Sequence, residues 1–283
     1  QTDYDMDNFI GCLQREGSGS LLGDGEAVAY GRQFRVGAFP IGMETEEFAN
    51  LSRASVGKPG VRDLLRSLHG RRLIIGVDRL DYSKGLEERL LGYEQFLQDN
   101  ASMRGEVFLL QVTPISRDDV DSYQDIRARL DALAGRINGA FADMDWQPIR
   151  YLNRTYRRDQ LAGIYRAAKV GLVTPLRDGM NLVAKEYVCA QNPDDPGVLI
   201  LSRFAGAAEQ MGEALLVNPY SREELSDAIH KALTMPLAER IRKWEALMKV
   251  VRDTDVSIWR DDFVKALQAP EGGRRATQWA GAA

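Results

Sequence analysis

The residues best placed to do chemistry lie in short segments, each directly after an apolar run. After Arg72–Val77 (RLIIGV) comes Asp78-Arg79-Leu80-Asp81-Tyr82-Ser83-Lys84-Gly85. Arg79 offers a planar fork of donors and Lys84 a point charge, next to a glycine where a helix begins. That combination suits a diphosphate. A salt bridge from Arg79 to Asp78 or Asp81 would account for the same charges without any ligand. After Val107–Val112 (VFLLQV), the segment Thr113-Pro114-Ile115-Ser116-Arg117 carries another arginine. Alone, Arg117 reads as a surface charge; on one rim with Arg79 and Lys84 it becomes a candidate for a second anionic group.

The longest such segment follows Val170–Val173: Thr174-Pro175-Leu176-Arg177-Asp178-Gly179-Met180-Asn181-Leu182-Val183-Ala184-Lys185-Glu186. Gly179 could relax the backbone so that several N–H groups point one way where a helix starts. Asp178 can accept hydrogen bonds from sugar hydroxyls. Glu186, about one to two turns into the helix, can fall on the face that Asp178 addresses, where a carboxylate suits a vicinal diol such as ribose. The competing reading makes Asp178 an N-cap and Glu186 a solvated residue paired with Lys185. After Val198–Ser202, Arg203-Phe204-Ala205-Gly206-Ala207 places small residues at another helix start, a weak sign of close backbone approach.

These segments need elements to position them. Short apolar runs alternate with helical patterns: strands over 72–77, 107–112, 149–152, 170–173, 198–202 and 214–217, and helices over about 85–98, 119–138, 157–167 and 181–190. From Ser221 the pattern is almost wholly helical, and from about Ala269 it is rich in Gly, Arg and Ala. Such alternation predicts an α/β fold with a Rossmann-like, doubly wound parallel sheet, whose ligands sit beyond the carboxyl ends of the strands. Residues 1–16 read as a helix, followed by two strand-like runs around AVAYG and FRVGAFPIG, with Phe39–Gly42 as a linker and polar helices over 43–70. The expected domains are 1–42, 43–252 and a C-terminal helix and tail over 253–283. Gln1 runs into the first helix with no visible start signal, as an internal position of a longer protein would.

Composition narrows the function classes. The 283 residues are 44% hydrophobic and 28% charged with a net charge of −4, an ordinary globular balance that excludes a general nucleic-acid binder. Cys12 and Cys189 fit no metal or disulfide spacing, and His69 and His230 are too few for a histidine metal site. No run approaches the ~18 apolar residues of a membrane span and no signal peptide is visible, so the expectation is a soluble, cytoplasmic protein. GVDRLDYSKG supplies no G-x-G-x-x-G and the Walker pattern is absent, which argues against hydride transfer and nucleotide triphosphate hydrolysis.

Taken together, Arg79–Gly85, Leu176–Tyr187 and Phe204–Ala207 closely resemble the trehalose-6-phosphate synthase family. So do Tyr123–Arg127, Gly135–Gly139 and Val217–Tyr220, all in the family's order between about Phe34 and Trp259. The resemblance implies the C-terminal half of a GT-B fold in a retaining glycosyltransferase of family GT20, moving glucose from UDP-glucose to glucose 6-phosphate. Carried over by motif, Arg79 and Lys84 would hold the donor diphosphate, and Asp178 with the backbone of Gly179, Met180, Asn181 and Leu182 the glucose and a phosphate. Glu186 would hold the ribose hydroxyls and Arg117 would reach the acceptor phosphate. Arg79, Lys84 and Asp178 form the implied catalytic group, with a leaving-phosphate oxygen deprotonating the acceptor in a front-face attack. No cofactor and no metal are implied, the two cations standing where Mg²⁺ acts in the other main glycosyltransferase architecture.

One departure from the family pattern is large. A preceding acceptor-side domain, with a glycine-rich loop, has no counterpart in these residues, and 1–42 look like its last helix and hairpin. A chain of this kind should bind donor and synthesise product weakly or not at all. Its partners would be UDP-glucose, glucose 6-phosphate and that N-terminal domain, and the face left uncovered could promote homo-oligomers. Two alternatives stay open: a related synthase with another phosphorylated acceptor, and a non-catalytic nucleotide-sugar-binding module.

Overall fold

The computed structural model describes residues 1–17, 19–23, 25–114 and 121–268, and the side chains of 121–123 are not described. The chain divides into two compact units, one of Gln1–Gly42 with the segment from Thr254, the other of Met43–Asp253.

In the first unit, helix α1 (Asp3–Arg15) does carry a start signal. Thr2 caps it through its side chain while Asp5 returns a bond to the Thr2 N–H, a capping box that uses Asp in place of Glu. Three antiparallel strands follow, β1 (Gly19–Gly23), β2 (Glu26–Ala29) and β3 (Arg32–Arg35). The sequence suggested two strand-like runs. β1 escaped notice because its Gly-Ser-Leu-Leu-Gly has no alternation, and residues 36–42 lie outside any strand. Trp259, on the unit's last helix (Val256–Gln268), donates its indole N–H to the Phe39 carbonyl at 3.0 Å, and Phe39 meets Phe263 edge-on.

The second unit begins with α2 (Thr45–Ser55) and α3 (Pro59–Ser67), the latter opened by Pro59 in the first turn. Strand and helix then alternate: β4 (Arg72–Val77), α4 (Leu86–Asp99), β5 (Val107–Val112), α5 (Asp121–Phe141), β6 (Ile149–Leu152), α6 (Arg158–Ala167), β7 (Val170–Val173), α7 (Leu182–Ala190), β8 (Val198–Ser202), α8 (Ala207–Gln210) and β9 (Leu215–Val217). Helices α9 (Arg222–Thr234) and α10 (Leu237–Asp253) complete it. All six strands are parallel, in the order β6-β5-β4-β7-β8-β9. Counted from β4, that is the Rossmann order, and the chain reverses direction across the sheet between β4 and β7.

Both faces of the sheet are covered, which is why the strands read as continuous apolar runs. Ile74, Leu109, Leu172 and Ile200 pack with Leu90, Tyr93, Phe96 and Leu97 of α4, Leu130 and Ile137 of α5, and Leu225 and Ile229 of α9. Helices α2, α6, α7 and α10 pack among themselves in the other layer. Gly92 lets α4 approach α9, since a Cβ there would lie 2.6 Å from Leu225. Among the described residues no helix is long and apolar enough to cross a membrane.

Candidate functional site

The reversal point between β4 and β7 is where the chain's polar loops converge. The loop after β4 runs into a 3₁₀ turn, Tyr82–Lys84, nucleated by Asp81, whose carboxylate accepts from the Ser83 N–H at 2.9 Å and the Ser83 hydroxyl at 2.8 Å. These bonds, with the charges of Lys84 and Arg79 nearby, hold the Asp81 carboxyl below its usual range against the opposing effect of partial burial. Gly85 then takes the left-handed conformation (φ 62°) and starts α4. A Cβ at Gly85 would stand 2.5 Å from the Thr174 carbonyl oxygen, so glycine is required both by backbone conformation and by the close approach of the two loops.

The loop after β7 is stitched on both sides. Leu176 N–H donates to the Ser83 carbonyl at 2.8 Å, joining it to the β4 loop. On the other side, Asp178 bridges in parallel with Ala205: Asp178 N–H donates to Phe204 O, and Gly206 N–H to Asp178 O at 3.0 Å. Ala207 N–H donates to Met180 O at 2.8 Å. Three strand-end loops thus form one backbone platform, with the small residues Ala205-Gly206-Ala207 at the contact.

On this platform Lys84 and Asp178 form an ion pair, Nζ to Oδ2 at 2.6 Å, with side chains 15% and 18% exposed. The Asn181 amide donates to the same carboxylate oxygen at 3.0 Å. Asn181, not Asp178, is the N-cap of α7: its side-chain oxygen accepts from Ala184 N–H, and it carries a positive φ of 87°. The backbone freedom that the sequence suggested for Gly179 is therefore spent at a non-glycine residue, a strained position of the kind found in ligand-binding loops. The first-turn N–H groups of α7, at Leu182 and Val183, have no acceptors within the helix. Gly179 and Leu182 are exposed and Met180 is buried, so Met180 faces the protein with its side chain.

Arg79 is exposed and makes no hydrogen bond or ion pair among the described residues; neither Asp78 nor Asp81 holds it. Glu186 sits partly buried on α7, where desolvation pushes its carboxyl up to about 7, with Glu44 adding to the shift and Arg158 opposing it. Lys185 is fully buried, and burial pushes its ammonium down to about 8. Arg117 lies outside the described residues.

Sequence reasoning missed the support beneath the loops. Arg89 of α4 is completely buried and donates to Asp78 at 2.5 Å, Thr174 Oγ1 at 3.0 Å, Gln111 Oε1 at 3.0 Å and the Lys84 carbonyl at 3.4 Å. One guanidinium thereby ties the ends of β4, β5 and β7 together. Burial raises the Asp78 carboxyl, with Arg89 as the chief opposing influence. Gly76 makes room for this network, since a Cβ there would lie 2.4 Å from Gln111 Oε1 and 2.8 Å from the Arg89 guanidinium. A signal existed: Arg89 stands three residues after Leu86 and four before Tyr93, on the apolar face of the helix.

Comparison with known proteins matches this arrangement to one family over nearly the whole chain. The profile of glycosyltransferase family 20 matches residues 1–269. The trehalose-6-phosphate synthase of Sinorhizobium fredii is 52% identical over 269 residues, covering 95% of this chain and 58% of that protein. A UDP-forming α,α-trehalose-phosphate synthase of Burkholderia xenovorans, solved in complex with glucose-6-phosphate, superposes with a TM-score of 0.93 at 47% identity, covering 95% of this chain and 60% of the other. An E. coli structure bound with UDP-2-fluoro glucose gives a TM-score of 0.92 at 44% identity, with the same coverage of 95% and 60%. The chain thus spans somewhat over half the length of the relatives it matches. Matched by the family's profile from its first residue and by a parallel Rossmann-like sheet of the GT-B type, the chain belongs to glycosyltransferase family 20.

Proposed function

We propose that this chain carries the donor site of a retaining glucosyltransferase that moves glucose from UDP-glucose to glucose 6-phosphate. The observation that carries the reading is the meeting of Lys84, Asp178 and the start of α7 at the sheet's reversal point, with Arg79 exposed on the same loop and in no ion pair among the described residues. Arg79 and Lys84 bind the diphosphate, Asp178 and the backbone of Gly179–Leu182 bind the glucose and a phosphate, and Glu186 accepts from the ribose hydroxyls. Support for the ligands comes from relatives solved with glucose-6-phosphate and with a fluorinated UDP-glucose.

In this reading the chemistry is electrostatic. Breaking the glycosidic bond moves charge onto the diphosphate, so preorganised cations there stabilise the transition state more than the ground state. Arg79 and Lys84 supply that charge, and no metal ion has a part in the proposal. Residues 1–42 belong to the acceptor-side half, most of which corresponds to the length of the relatives not spanned here, with Arg117 the contact to the acceptor phosphate on this side.

Calorimetric titration of the chain with UDP-glucose tests the reading. Binding that Arg79→Ala abolishes, with little heat from glucose 6-phosphate, is the expected outcome. A folded chain that gives no heat with UDP-glucose would refute the donor-site assignment.

A further inference from the structure

Lys84 and Asp178 are each proposed to hold a different part of the donor, yet they also hold each other. The pair spans the reversal point, one residue from each of its two loops, at 2.6 Å. The carboxylate cannot retreat far. Asp178 is fixed through its backbone by Phe204 and Gly206 and through its carboxylate by Asn181, while Lys84 reaches it from the end of the 3₁₀ turn, just before left-handed Gly85. A diphosphate that reaches Lys84 must therefore share its ammonium with a fixed carboxylate. An ammonium has three N–H donors, so sharing is geometrically possible, but two anions then lie side by side in a poorly solvated place.

What hangs from the outer phosphate decides how costly that is. In a bare nucleoside diphosphate the terminal phosphoryl group carries a second ionisation near neutral pH, which brings an extra negative charge toward Asp178. In a nucleotide sugar that ionisation is replaced by the glycosidic bond, and the sugar offers hydroxyl donors that the carboxylate can accept. We infer that Asp178, through its ion pair with Lys84, makes this site discriminate against the bare nucleoside diphosphate in favour of the nucleotide sugar. The same repulsion favours departure of the nucleoside diphosphate left after transfer. This inference rests on the donor-site reading above and assigns Asp178 a role in selectivity beyond contacting the sugar.

The test compares UDP and UDP-glucose binding by calorimetry in the wild-type chain and in Asp178→Asn, which keeps the shape and the acceptor oxygen but removes the charge. UDP affinity should rise by roughly tenfold in the variant while UDP-glucose affinity, which loses a charged acceptor for the sugar hydroxyls, falls, so the selectivity ratio drops by more than about tenfold. Should Asp178→Asn prove unstable on heating, Asp178→Ser asks the same question. Equal weakening of both ligands, or an unchanged ratio, overturns the inference and leaves the donor site standing. A wild-type chain that binds neither ligand overturns the donor-site reading, and the inference with it.

Discussion

Arg89 and Asp78 meet at 2.5 Å beneath the loop that carries Lys84, their side chains 0% and 2% exposed. The pair is sealed under the platform, and the guanidinium also reaches Thr174 and Gln111, so it sets the spacing of three strand ends. Removing the arginine would leave a buried carboxylate without its cation. Arg89→Met is expected to cost about 3–5 kcal/mol in denaturant unfolding, and the double variant Asp78→Asn/Arg89→Met clearly less than that. Equal losses in the two variants would show that the charge pair is not what the site depends on.

Gly85→Ala should be damaging out of proportion to its size. The left-handed φ of 62° strains any side chain by about 1–2 kcal/mol, and the new methyl would press on the Thr174 carbonyl, 2.5 Å from the ideal Cβ position. Either relief moves the β4 and β7 loops apart. Thermal unfolding should shift down, and UDP-glucose binding should weaken by more than the stability loss alone explains.

Arg79 presents the opposite case. Exposed and without a partner among the described residues, it contributes little to the fold, and Arg79→Ala should change stability by no more than about 0.5 kcal/mol. Donor binding should nevertheless collapse, and in a complete enzyme the loss of one preorganised contact to the leaving group costs about 3 kcal/mol, roughly a hundredfold in rate. A large melting-temperature change in Arg79→Ala would mean that the residue is structural.

Glu186 links the site to pH. Its carboxyl is raised from 4.5 to about 7, so the folded chain holds a proton there that the unfolded chain has released. Between those two values stability falls as pH rises, and above about pH 7 the full cost applies. Glu186→Gln should therefore stabilise the chain by about 2 kcal/mol at pH 8, allowing for partial exposure, and by little at pH 4. In the proposed donor site the ribose hydroxyls donate to Glu186 and favour its charged form, so UDP-glucose affinity should climb from pH 6 to pH 8 in the wild type and stay flat in Glu186→Gln. A stability difference that does not change with pH would contradict the shift.

What was legible in the sequence was the periodic part. Apolar runs such as RLIIGV and VFLLQV alternating with amphipathic helices determine a parallel doubly wound sheet, because each face of every strand must be covered by a helix. That topology puts ligands beyond the carboxyl ends of the strands, so the sequence points to the segments directly after them, those of Arg79, Lys84 and Asp178 included, as the place for chemistry. Which partner each would take was not legible. Asp81 turned to Ser83, Asp78 to a helical arginine eleven positions on, and Asp178 to Lys84, 94 residues earlier. Asn181 displaced both the capping role weighed for Asp178 and the backbone role expected of Gly179. Local pattern is set by backbone period and burial, which neighbouring residues share. Ion pairs and caps are chosen among several short-range candidates by which one the packed backbone brings within about 3 Å, and only the tertiary structure makes that choice.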